Sequence, residues 1–70
     1  MMKVKHDDWT IELFKVDNAA YGKGFFATAY VQKTDGRKAC VRCFSDYSGV
    51  IKTQKAMLEM VKRYLAIRYE

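Results

Sequence analysis

Apolar and polar positions alternate over the first two thirds of the chain, and a helical repeat replaces that alternation in the last third. In WTIELFKV, residues 9–16, Trp9, Ile11 and Leu13 share one face, and Thr10, Glu12, Phe14 and Val16 share the other. That period of two is the mark of a strand. FFATAYVQK, residues 25–33, and RKACVRCFS, residues 37–45, alternate in the same way. Asp35-Gly36 stands between them and predicts a hairpin with a two-residue type I′ turn. In that register Thr34 faces Arg37, Val31 faces Cys40, Ala29 faces Arg42 and Ala27 faces Phe44. A three-residue loop with a bulge would shift it. One sheet face then carries Phe25, Ala27, Ala29, Val31, Cys40, Arg42 and Phe44. The opposite face carries Phe26, Thr28, Tyr30, Gln32, Ala39, Val41 and Cys43. DNAAYGKG, residues 17–24, reads as a loop, because Asn18, Gly22 and Gly24 tolerate positive φ.

From Val50 to about Tyr69 the period is helical, with Asp46 or Ser48 as the expected N-cap. Val50, Met57, Leu58, Val61, Tyr64 and Leu65 gather on one side. Lys52, Lys55, Glu59, Lys62, Arg63 and Glu70 gather on the other, where Glu59 stands four residues before Arg63 as a surface pair. Met60, Ile67, Ile51 and Tyr69 widen the apolar arc beyond the stripe one small sheet requires. The surplus packs against Trp9 and the N-terminal segment, or against a second copy in a homodimer. Ala27 and Ala29 leave room for a close-packed helix, so the helix is expected on their face. Arg42 fits that face only at a sheet edge.

The expected architecture is a single α+β domain over residues 1–70: a three-stranded antiparallel sheet followed by one long C-terminal helix packed on one face, in the order β-β-β-α. Residues 1–6 are the candidate fourth, edge strand, and residues 1–8 otherwise form a flexible lead. That order of elements recurs in small nucleic-acid-binding modules, an analogy of layout that does not establish function.

Half of the residues are hydrophobic and 14% are aromatic, which argues against disorder. Two cysteines cannot supply the disulfide framework of a small secreted domain. MMKVKHDDW has no apolar run, so neither a signal peptide nor a membrane span is expected, and a reducing cytoplasm is the expected compartment.

Cys40 and Cys43 have the C-x-x-C spacing of metal clips and redox pairs. On a strand, however, an odd separation sends the two sulfurs to opposite faces. No second such motif exists, and His6 is the only histidine. The thiols are therefore expected to be structural, as small buried hydrophobes. His6, Asp7 and Asp8 are metal-ligand types, but adjacent side chains rarely converge on one ion, so they read as a solvated tail. Gly22-Lys23-Gly24 leads into a strand rather than a helix, so it reads as a turn rather than a phosphate cradle. No metal, cofactor or catalytic constellation is expected.

The formal charge is +5. In residues 1–32 Lys3, Lys5, Lys15 and Lys23 balance Asp7, Asp8, Glu12 and Asp17, so the excess lies entirely in residues 33–70. Lys33, Arg37 and Lys38 surround the hairpin turn, and Lys52, Lys55, Lys62 and Arg63 follow one helix face. Such groups meet phosphates without reading sequence. Phe26 and Tyr30 project from one sheet face and are candidates for base stacking or for an interface. The expected function is a small non-enzymatic nucleic-acid-binding protein with a basic hairpin tip and helix face, for DNA or RNA. The alternative is a protein-interaction module or small inhibitor acting through its aromatic sheet face or an edge, as a monomer or a homodimer. One geometric tension stands: a helix on one sheet face points its lysines away from aromatics on the other.

Overall fold

The computed structural model describes residues 1–18 and 22–67. Four strands, β1 (Met2–His6), β2 (Trp9–Asn18), β3 (Gly22–Gln32) and β4 (Lys38–Asp46), precede one helix, α1 (Gln54–Ala66). They form an antiparallel sheet in sequential order, an α+β arrangement in which residues 2–6 supply the fourth strand.

β1 is a strand because MKVKH alternates: Met2, Val4 and His6 are half-buried while Lys3 and Lys5 are exposed. His6 pairs with Trp9, so Asp7 and Asp8 form a two-residue connection, with Asp7 at φ 54°. The aspartates expected in a solvated tail therefore close a hairpin. β2 and β3 are also longer than expected: β2 runs to Asn18 and β3 begins at Gly22. The rest of the expected loop, residues 19–21, lies outside the described residues. Gly24 is in the strand because β4 and the chain after it come close there. A Cβ at this position would collide with the Tyr47 ring and the Asp46 carbonyl.

The β3–β4 hairpin forms at the expected place but not with the expected turn. Its last pair is Gln32 with Lys38. The Gly36 amide donates to the Lys33 carbonyl at 3.0 Å, and the Lys33 amide donates to the Arg37 carbonyl at 2.8 Å. Gly36 alone among the turn residues takes positive φ, 88°. Asp35 keeps ordinary φ, and its carboxylate accepts from the Arg37 amide at 3.0 Å. That side-chain bond favours the longer loop over a type I′ turn. Val31 consequently faces Ala39 rather than Cys40, and Ala39 moves to the Val31 face. A second irregularity, between Ala29 and Val31 on β3, offsets the first. Cys40 takes φ 55° beside it, and Ala29–Arg42 and Ala27–Phe44 pair as expected. Neither cysteine is buried; both are exposed free thiols on the edge strand β4, Cys40 beside the bulge.

The helix is shorter than its apolar pattern. Thr53 is the N-cap, its hydroxyl accepting from the Ala56 amide at 3.1 Å, in place of Asp46 or Ser48. Asp46 and Ser48 instead bond each other and shape a turn. Val50, expected on the buried helix side, lies in the preceding segment and is 80% exposed. At the other end, Ile67 is the C-cap, while Tyr69 and Glu70 lie outside the described residues. Glu59 pairs with Lys62 at 3.8 Å rather than with Arg63.

α1 lies on the Ala27/Ala29 face, as their small side chains suggested. Met57 and Val61 pack against Ile11, Leu13, Phe25, Ala27 and Ala29 to form the core. Trp9, Ile51, Leu58, Met60 and Leu65 flank it, so the N-terminal hairpin takes part of the broad apolar arc. Arg42 is on this face at the edge strand, with its guanidinium 5.6 Å from the Phe44 ring centroid. No helix among the described residues is long and apolar enough to cross a membrane.

Candidate nucleic-acid interface

The seven basic residues expected to act together occupy separate places. Lys33, Arg37 and Lys38 are exposed at the β3–β4 hairpin. Arg37 is engaged within it, its Nε 2.6 Å from the Asp35 carboxylate. Lys52 lies beside Gly24 and Phe25, at the other end of β3. Eight strand steps separate Gly24 from Gln32, on the order of 25 Å. Lys55 and Arg63 are exposed on α1, and Lys62 is half-buried there. Lys52 is therefore remote from the hairpin tip, whereas α1 ends at the tip's end of the sheet, where Leu65 and Ala66 share a depression with Trp9, the partner of Val31.

The sheet face without a helix is more coherent. Cross-strand pairing brings Phe14 against Phe26, with ring centroids 6.2 Å apart and planes tilted by 43°. One row along, Lys3, Glu12, Thr28 and Cys43 lie side by side on β1 to β4. In the next row Lys5, Thr10 and Tyr30 are neighbours, and beyond them Gln32 pairs with Lys38. Such rows are about 7 Å apart along a sheet face. Lys3, Lys5 and Lys38 thus share the aromatic face, which removes the tension between cations and rings. Phe14 was legible as a partner of Phe26 once β2 and β3 were paired. Lys3 and Lys5 were hidden because the strand status of residues 1–6 was open; their alternation with Met2, Val4 and His6 was the available signal.

Tyr30 sits on this face but is only 1% exposed. Its hydroxyl donates to Glu12 Oε1 at 2.8 Å, and the Lys38 ammonium lies 4.6 Å from its ring centroid. The bond to the Glu12 carboxylate, helped by burial and by that charge, holds the phenol above its ordinary pKa. Its ring is therefore covered, and Phe14 takes its place beside Phe26 as the half-exposed aromatic pair.

The other titrating group with a definite shift is Asp46. The Ser48 hydroxyl and the Ser48 amide both donate to its carboxylate, which lowers its pKa despite some loss of hydration. Its role is to hold the 46–49 turn, where Gly49 has φ 82°. No cluster of three or more metal-ligating side chains occurs among the described residues.

No protein-family model, curated protein or solved structure matches this chain.

Proposed function

We propose that this domain is a non-enzymatic binding protein for single-stranded nucleic acid, making sequence-tolerant contacts through its uncovered sheet face. The observation that supports this reading is the half-exposed Phe14–Phe26 pair with Lys3, Lys5 and Lys38 on the same face. Aromatic rings accept the face of any base, while lysines neutralise phosphates without distinguishing sequence. At the hairpin tip, where Arg37 is offset by Asp35, exposed Lys33 extends the positive field along one end of this sheet. A reducing cytoplasm suits the two exposed thiols.

Fluorescence polarisation with a labelled oligothymidine and with a matching duplex tests the reading. Binding to the single strand should fall steeply as salt rises. Phe14→Ala with Phe26→Ala should weaken it by about 1–3 kcal/mol per stacked base. Lys3→Gln with Lys5→Gln, which removes only exposed groups, should lower both the affinity and its salt slope. Wild-type protein that ignores single strands at low salt, or equal binding by both double variants, would defeat the reading.

One feature favours protein interaction instead. Met60, Arg63, Tyr64 and Ile67 line a shallow depression of about 360 Å³ on α1, with Tyr64 and Ile67 46% and 49% exposed. A partner protein or a second copy seated there would bind with little salt dependence, and light scattering at two salt concentrations separates this behaviour from charge-driven binding.

A further inference from the structure

The charge balance of residues 1–32 hides a cluster that only the fold assembles. Lys15 pairs with Phe25 and Lys23 with Asp17, on the sheet face that α1 covers further along. Both lysines lie beyond the start of the helix and are exposed. The segment ahead of α1 brings Lys52 over the same place. Together Lys15, Lys23 and Lys52 rim a depression of about 260 Å³, with Gly24, Phe25 and Ile51 in its wall.

Three features suit this depression to an anion. First, three ammonium groups share one concavity, where mutual repulsion is relieved by a bound negative charge. Two acids stand on the same face, Asp17 across the pair from Lys23 and Asp46 across the pair from Phe25, and they offset two of the three positive charges. A net positive charge remains. Second, Gly49 also lines the depression, with φ 82° and open space where a Cβ would stand. Third, Lys52 immediately precedes the N-cap of a thirteen-residue helix with no acidic residue in its first turn and with Lys55 there. The positive end of the helix dipole therefore adds to the field rather than being cancelled. Phe25 and Ile51 give the same cavity an apolar part, room for more than a bare ion.

From this arrangement we infer that Lys15, Lys23 and Lys52 form a binding site for a phosphomonoester, a doubly charged phosphate carried on an organic group that rests against Phe25 and Ile51. This site is separate from the uncovered sheet face and does not depend on the function assigned to that face. Its ligand is a free nucleotide-like monophosphate or the phosphorylated end of a nucleic acid, which share the recognised chemistry.

The test is a titration of the ¹⁵N-labelled chain, followed by amide shifts, with inorganic phosphate, adenosine, adenosine 5′-monophosphate, and a short oligothymidine with or without a 5′-phosphate. Adenosine 5′-monophosphate should give saturable shifts at Gly24, Gly49 and Ile51, more tightly than inorganic phosphate, and adenosine should give none there. If the phosphorylated oligonucleotide shifts these amides more strongly than the mononucleotide does, the nucleic-acid end is the ligand; the reverse order assigns the free monophosphate. Lys23→Gln with Lys52→Gln should lower the affinity by about tenfold or more, a loss of at least 1.4 kcal/mol by the standard conversion. The Phe14→Ala/Phe26→Ala protein should keep it, so failure of the sheet-face reading leaves this one standing. Non-saturating shifts spread over all exposed lysines, or unchanged affinity in the Lys23/Lys52 double variant, would overturn the site.

Discussion

Tyr30 shows how one side chain can be polar in chemistry and apolar in position. Its ring is buried under Lys38 on a face that no helix covers, and its hydroxyl reaches Glu12 across the β2–β3 ladder. Ionising the phenol would put an anion against a carboxylate, so the neutral form is favoured and the pKa rises. A pKa raised on folding stabilises the protein fully below the unfolded phenol value, about 10. That contribution is lost as pH rises through the folded value. In a tyrosinate absorbance titration Tyr30 should therefore ionise above the ordinary phenol range. Glu12→Gln should bring it down toward that range while the four other tyrosines keep their curve. A curve unchanged by Glu12→Gln would mean that the bond does not control the phenol.

At the scale of elements, boundaries were harder to read than identities. The helix face was legible because Ala27 and Ala29 are the small residues of β3, and those positions receive Met57 and Val61. Its start was not, since Val50 and Ile51 continue the apolar rhythm while lying ahead of the Thr53 cap. Periodicity reports which side chains are apolar, whereas a helix begins where a side chain satisfies free amides. Thr53→Ala should cost about 1 kcal/mol of stability and lower the helical circular-dichroism signal. Ser48→Ala should leave that signal unchanged, because Ser48 bonds Asp46 rather than α1; a larger loss of helix from Ser48→Ala would move the boundary back. The β3–β4 register has a related history. Asp35-Gly36 marked the hairpin, but the Asp35 bond to the Arg37 amide lengthened its loop, and the irregularity at Cys40 restored the outer pairs. Two opposed one-residue shifts leave Ala27, Ala29, Arg42 and Phe44 on their expected face, so the core was readable although the turn was not. β1 and β4, the two edges, carry Lys3, Lys5, Lys38 and a bulge, features that discourage edge-to-edge pairing.

Over the whole molecule, stability rests on one thin layer between α1 and the middle strands. A chain of this length buries only about 60% of its unfolded surface, and a typical net stability of about 0.05–0.15 kcal/mol per residue leaves little reserve. Met57 is wholly buried among Ile11, Leu13, Phe25 and the two alanines, while Val50 is 80% exposed. The repeat in the sequence assigns both to the same helical side, so their substitutions separate periodicity from position. Met57→Ala should cost about 2–5 kcal/mol, because the helix cannot collapse onto the alanines to fill the space. That loss is a large share of the total, and the urea midpoint should fall far enough that part of the protein is unfolded without denaturant. Val50→Ala should stay within about 0.5 kcal/mol, as surface changes do. Similar costs for the two variants would mean that the segment before Thr53 is packed as part of α1. Lys52 would then be carried away from Lys15 and Lys23, and the phosphomonoester site would lose its third cation together with the fold that assembles it.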